Sequence, residues 1–203
     1  MKIQWLGHSC FRVEAEGYSV VFDPYEDGSV PGLAPLHPTA DAVFCSHDHF
    51  DHNAVQTVTL TGRALPLQVE KIAAYHDNVE GTQRGPNTIH ILHGDGMRVA
   101  HLGDLGHMPS EEALALLRGV DALLLPVGGF FTIDAPTAKA VADAIGPRVV
   151  IPMHYRREGM GFDVIGPVEA YTDLCDNVQY YDCDTFEAGP DTPSQTAVLT
   201  YGK

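Results

Sequence analysis

The sequence predicts an α/β fold, an αββα sandwich in which two mixed β-sheets lie face to face between helices. Three observations point there. The first third reads as short strands in a meander of hairpins. A further hairpin is signalled by the Asp95-Gly96 pair between two apolar runs. Beyond it, strand and helix patterns alternate, the arrangement that covers a sheet with helices.

Taken in order, residues 3–6, 10–15 and 19–22 are short apolar or alternating segments, separated by Gly7-His8-Ser9 and Glu16-Gly17. Asp23-Pro24 stops the third, and residues 25–38 hold several Gly and Pro and form a loop. Residues 42–45 make a short buried strand that delivers the chain into Ser46-His47-Asp48-His49-Phe50-Asp51-His52. The middle section suggests strands at 57–60 and 65–69, another at 72–75 ending on His76, and the hairpin 88–92 with 97–102 around His93-Gly94-Asp95-Gly96. Ser110 caps a helix with Glu111 and Glu112 in its first turn, where carboxylates suit the positive end of the helix dipole. Residues 121–126 form a buried strand, and 134–145 a helix ended by Gly146-Pro147. Residues 149–152 form a strand, 167–176 a helix, and 197–201 the last strand. No internal repeat and no low-complexity linker interrupts the chain. Its 203 residues suit one core and are too few for two, so residues 1–203 read as one domain.

Composition narrows the function. Hydrophobic residues make up 44% and charged residues 19%, an ordinary globular balance. The net charge of −15 repels phosphate backbones and anionic membrane surfaces, so neither nucleic acid nor a membrane is an expected partner. A small-molecule substrate is expected instead, and a homo-oligomer is compatible with the sequence. The N-terminus runs directly into a strand, without a charged segment followed by an apolar one. Cys10, Cys45, Cys175 and Cys183 form no C-x-x-C pair, and Cys10 and Cys45 lie in apolar runs as small hydrophobes. A cytoplasmic, disulfide-free protein is therefore expected.

The chemistry is concentrated in one segment. His47, His49, Asp51 and His52 form H-x-H-x-D-H at the end of a strand. Imidazole and carboxylate are the usual ligands of Zn²⁺ and related divalent ions. A tight turn can aim His47 and His49 at one ion, and Asp51 and His52 at a second. No G-x-S-x-G elbow suggests a serine nucleophile.

This motif resembles the signature of the metallo-β-lactamase superfamily. Gly7-His8-Ser9-Cys10-Phe11 and Val21-Phe22-Asp23-Pro24 resemble the opening of its ascorbate-6-phosphate-lactonase-like and uncharacterised metal-dependent-hydrolase branches. Gly103-Asp104 resembles the superfamily's G-D motif. The run Leu124-Leu125-Pro126-Val127-Gly128-Gly129, followed by Phe131-Thr132, and the closing Ile151-Pro152-Met153-His154-Tyr155 are similar to later motifs of the same branches. The likeness spans residues 1–155, with a short stretch between His52 and His76. It implies one ion held by His47, His49 and His76, a second held by Asp51, His52 and His154, and Asp104 bridging both. His90 and His93 compete with His76 for its place. Asp51 and His154 are the implied catalytic residues, with Asp51 able to accept a proton from the attacking water.

Several other residues have more than one reading. His8 is a substrate contact, a hydrogen-bond donor to the site or a turn residue. Asp23 orients a ligand histidine through its other nitrogen, or ends a strand. Asp48 shapes the turn or is solvated. His107, just past Asp104, reaches the pocket or lies on the surface, with the surface favoured, and His37, His90, His93 and His101 are structural. Phe130, Phe131 and Thr132 line the mouth of the site or simply pack. Arg63, Arg84, Arg156 and Arg157 are candidate anion contacts, with Arg156 and Arg157 next to His154 favoured.

The expected function is a metal-dependent hydrolase with two divalent ions, zinc by default with manganese or iron as alternatives, and a hydroxide activated between them. Its substrate would be small and anionic: a lactone, ester or phosphodiester. The rivals are a non-catalytic metal-binding or sensor protein, a redox di-iron protein on the same fold, and a nuclease. The di-iron type resembles H-x-E-x-D, which His49 disfavours. The net charge of −15 disfavours the nuclease.

Overall fold

Alternation along the first strands decides which face each residue buries. In the computed structural model, which describes residues 1–202, β1 (Lys2–Gly7), β2 (Cys10–Ala15) and β3 (Tyr18–Phe22) form an antiparallel meander. Phe11, Val13, Val20 and Phe22 point inward to the main core. Cys10 and Val21, one position out of phase, point to a second, smaller cluster with Tyr25, Val30 and Leu36. The Gly- and Pro-rich loop after β3 therefore covers the outer face of this sheet.

The remaining strands are β4 (Thr39–Ala40), β5 (Ala42–Phe44), β6 (Thr59–Leu60), β7 (Val69–Tyr75), β8 (Pro86–Gly94), β9 (Met97–His101), β10 (Ala122–Pro126), β11 (Val149–Met153), β12 (Val178–Tyr180), β13 (Thr185–Glu187) and β14 (Gln195–Val198). The helices are α1 (Glu111–Leu117), α2 (Ala135–Ile145) and α3 (Glu169–Thr172). One sheet has the order β13-β1-β2-β3-β5 and the other β12-β14-β11-β10-β9-β8-β7, with a small β4-β6 pair apart. Both large sheets are mixed. β3 and β5 are parallel in the first, and β7-β8-β9 is antiparallel beside an otherwise parallel array in the second. Leu123, Leu124 and Leu125 of β10 are buried in succession, as a parallel strand covered on both faces requires. α2 packs on β10 and against α1 and α3. The expected α/β arrangement of two mixed sheets is the observed one, with few helices.

Caps follow the sequence. Ser110 accepts from the Ala113 N–H and Asp134 from the Thr137 N–H, while Gly146 ends α2 in the left-handed conformation at φ 67°. Other expectations need correction. Residues 65–69 are irregular up to Val69, because Pro66 has no N–H to donate to a ladder. Residues 57–60 split into a 3₁₀ turn, Val55–Thr57, and β6. The helix expected at 167–176 is α-helical only over Glu169–Thr172. Its flanks are wound in tighter turns, with Tyr171 N–H donating to Val168 and Leu174 N–H to Tyr171. The last strand lies at Gln195–Val198, earlier than 197–201, and β12 and β13 were not foreseen. All four cysteines are free thiols, and no helix among the described residues is long and apolar enough to cross a membrane.

Candidate metal centre

Strand direction gathers the chemistry at one edge. β1, β3 and β5 run the same way, because β2 is antiparallel to both β1 and β3 while β5 is parallel to β3. Their C-terminal ends deliver His8, Asp23 and the segment from Ser46 to His52. β7 and β9 share a direction through their common antiparallel partner β8, and β9, β10 and β11 are parallel. Their ends deliver His76, Asp104 and His154. The backbone is tense at these ends: His8, Asp23 and His154 have φ of 52°, 46° and 54°. Left-handed non-glycine residues each cost about 1–3 kcal/mol and cluster where side chains must be aimed.

All seven residues singled out as ligands meet at this edge. His47, His49 and His76 each present a ligand atom within 4.8 Å of the other two. His8, His52 and His154 form a second such triad. Oδ2 of Asp104 lies 3.2 Å from His52 Nε2, 3.2 Å from His76 Nε2 and 3.1 Å from His154 Nε2, so one carboxylate oxygen touches both triads. Asp51 Oδ2 stands 3.7 Å from His52 Nε2 and 3.5 Å from His8 Nε2. His90 packs against Phe22 and Phe44, and His93 pairs with Glu70, so neither takes the place of His76.

The surrounding hydrogen bonds orient these rings. Asp23 accepts from His52 Nδ1 at 2.8 Å, from Ser46 N–H at 2.7 Å and from the Ser46 hydroxyl at 2.5 Å. With Nδ1–H given to Asp23, His52 turns Nε2 toward Asp104. Ser46 Oγ also lies 2.9 Å from His47 Nδ1. Asp23 thus both ends its strand and orients a histidine. Asn87 donates to Leu102 O and accepts from Asp104 N–H, fixing the turn that carries Asp104. Gly103 has φ +55°, and a Cβ there would collide with Asn87 and Ser46. Asp77 accepts from the N–H groups of Val79, Gly81, Gln83 and Arg84, bracing the loop that follows His76.

Ser46, Asn87 and Asp77 were not identified from the sequence. Their only signal is position beside a ligand or opposite a Gly-Asp turn. Asp48 accepts from Asn53 Nδ2 and shapes the turn. His107 accepts from Tyr75 N–H and donates to Met108 O, outside the triads. His101 is buried between Ser9 O and Gly103 N–H.

The electrostatics fit a cation. Asp23, Asp51 and Asp104 converge here, and none pairs with a Lys or Arg among the described residues. Buried carboxylates need compensating positive charge. Burial opposes ionisation of all three. Asp23 is nonetheless held at about 2 by the nearby His101 and the His52 bond, and Asp51 and Asp104 are also held low by adjacent histidines. Burial depresses His47 to about 3 and His8 to about 4, leaving neutral, ligand-type imidazoles. Burial also disfavours a charged His52, yet Asp104 and Asp23 outweigh it and raise that pKa. The negative potential that draws a proton there draws a metal cation as well. His47 Nε2, His52 Nε2 and Asp104 Oδ1 are buried without a hydrogen-bond partner, the state expected of waiting ligand atoms.

Beyond the two triads, Phe131 lies 6.4 Å from His154, and Phe162 lies 5.6 Å from His8, ring to ring. Thr132 is buried and Phe130 is 63% exposed. The Arg84 guanidinium sits 5.8 Å over the Phe131 ring. Arg63 is tied to Asp41 and the Gly17 carbonyl, and Arg156 donates Nε to Ile165 O. Of the four arginines singled out, Arg84 is the one whose head rests on an aromatic ring beside the triads. The pair favoured by sequence proximity, Arg156 and Arg157, has exposed side chains.

Comparison with known proteins agrees with this geometry. Residues 2–154 match the family model described as a beta-lactamase superfamily domain. A UPF0173 protein of Pyrococcus abyssi is 32% identical over 190 residues, covering 79% of this chain and 86% of the relative. A UPF0173 metal-dependent hydrolase of Thermofilum pendens is 29% identical, with 76% and 83% covered. The crystal structure of a candidate Zn-dependent hydrolase of the metallo-β-lactamase superfamily from Thermotoga maritima superimposes with a TM-score of 0.78. It is 30% identical and covers 98% of this chain and 97% of its own.

Proposed function

The chain belongs to the metallo-β-lactamase superfamily, within the UPF0173 metal-dependent hydrolases, and on that premise we propose that it is a dinuclear hydrolase of small anionic esters, lactones or phosphodiesters. His47, His49 and His76 would hold one divalent ion, and Asp51, His52 and His154 a second, with Asp104 shared. The observation that carries this reading is the single Asp104 oxygen within 3.2 Å of imidazoles from both triads. Zinc suits imidazole-rich donors, and the carboxylates also admit manganese or iron. Bound there, divalent cations supply Lewis acidity, which acidifies a water and polarises a carbonyl or phosphoryl oxygen.

The protein's own groups do the rest. Asp23, through Ser46 and His52, holds the imidazoles in one tautomer. Asp51, whose side chain is partly open to solvent, accepts the proton released by the attacking water. Phe131 and Phe162, packed edge to face, give the mouth an apolar wall. Arg84, braced by Asp77 through its own backbone N–H, offers its guanidinium to the anionic part of the substrate. A lactonase-like substrate, with a reactive carbonyl and a remote anion, fits this layout. The test is metal analysis of purified protein, with turnover of a lactone, ester and phosphodiester panel before chelation, after it, and after metal is restored. Loss and recovery of activity with metal is expected, and full activity in metal-free protein overturns the reading.

A further inference from the structure

His8 is the one imidazole at this edge that the ligand assignment leaves unused. It is 2% exposed, and neither ring nitrogen has a hydrogen-bond partner. Burying two unpaired polar atoms is costly, and such groups call for a physical cause. The structural histidines contrast with it. His101 is bonded at both nitrogens, His93 bonds Glu70, and His107 bonds backbone on both sides. Buried His90 also leaves Nδ1 without a partner, but it lies against the rings of Phe22 and Phe44 and belongs to neither triad. The His8 ring instead faces the site. Its centroid is 4.2 Å from His154 and 5.3 Å from His52, and its Nε2 is 3.5 Å from Asp51 Oδ2.

The backbone is built to hold that aim. His8 adopts φ 52°, and its carbonyl accepts from Trp5 Nε1 at 2.9 Å and from His154 N–H at 3.3 Å. A surface turn has no need of two such anchors. From the mutual reach of the His8, His52 and His154 ligand atoms, all within 4.8 Å, we infer that His8 is a further protein ligand of the cation held by His52 and His154. The inference rests on the two-cation reading above and deepens it. It makes the two sites unequal. The first has His47, His49, His76 and the shared Asp104, while the second has His8, Asp51, His52, His154 and Asp104. The second cation is then the more fully enclosed by protein, and the first keeps more room for substrate and water.

The experiment titrates metal-free protein with Zn²⁺ against a competing chelator, following emission of Trp5, the chain's single tryptophan, whose indole donates to His8 O. Wild type is expected to take two equivalents. His8→Phe keeps a ring against His154, and His8→Asn tolerates positive φ. Both are expected to lose about ten-fold or more in affinity at one site and leave the other unchanged. Anomalous diffraction from Zn²⁺-loaded wild type is the check that does not depend on how the variants fold. A His8 nitrogen at about 2.0–2.1 Å from an ion is expected. Two equivalents with unchanged affinities in both variants, or a His8 nitrogen beyond bonding distance, overturn the role of His8 alone. Wild type that binds no ion overturns it together with the two-cation reading.

Discussion

Asp23→Asn tests how much the metal centre depends on a residue that is not itself a proposed ligand. Asp23 is fully buried and its carboxylate accepts three hydrogen bonds: Ser46 N–H at 2.7 Å on Oδ1, and the Ser46 hydroxyl at 2.5 Å with His52 Nδ1 at 2.8 Å on Oδ2. An asparagine can keep its oxygen for the Ser46 N–H. Its NH₂ then faces two groups that were donors. The hydroxyl can rotate, but His52 must move its proton to Nε2, the atom turned toward Asp104. That protonates a proposed ligand atom and loosens the ring. Partners of this kind are worth about 10–100-fold in metal affinity, or ~1.4–2.7 kcal/mol. The assay is chelator competition with Zn²⁺ on wild type and Asp23→Asn, read by metal content and Trp5 emission. A loss of that size at the His52 site is expected. Affinity within about two-fold of wild type at both sites refutes the orienting role, since the change spares every proposed ligand.

Other perturbations separate the remaining roles. Asp104→Ala removes the oxygen shared by both triads and is expected to abolish metal binding and turnover together, measured by elemental analysis and substrate hydrolysis. Arg84→Gln is expected to raise KM about ten-fold for a half-ester carrying a remote carboxylate and to leave the matched neutral ester unchanged; equal effects on both remove Arg84 from anion recognition. Gly128→Ala drives a Cβ into the His154 carbonyl and is expected to cost about 1–3 kcal/mol in thermal unfolding, with weaker metal binding at the His154 site. Asp77 is held at about 2: burial opposes ionisation, but four backbone N–H groups, from Arg84, Val79, Gln83 and Gly81, outweigh it. A depressed carboxylate pKa stabilises the fold above its unfolded value near 3.8 and stops doing so as pH falls toward 2. Protection of the amides of residues 79–84, taken relative to their intrinsic exchange rates, is therefore expected to fall between about pH 4 and 2, and to be low at neutral pH in Asp77→Asn.

What the sequence determined by itself was the chemistry and the order of its parts. H-x-H-x-D-H after a short apolar strand, which proves half-buried, His76 at the end of an apolar run, Gly103-Asp104 and His154 are all local signals, because a ligand at a strand end needs only the strand and the turn after it. Caps and the Asp95-Gly96 hairpin were legible for the same reason. Short pieces such as β12 and β13 were not, since three residues carry too little periodicity to separate strand from loop, and pairing with β14 and β1 is what makes them strands. Only the tertiary structure decided that parallel directions bring six strand ends to one edge. That places His8 against His154 across 146 positions of sequence, puts Asp23 behind His52, and sets the Arg84 guanidinium over Phe131 while Arg156 bonds Ile165 O. Those relations are set by sheet order and by which face each side chain takes, and neither is written in any short stretch of chain.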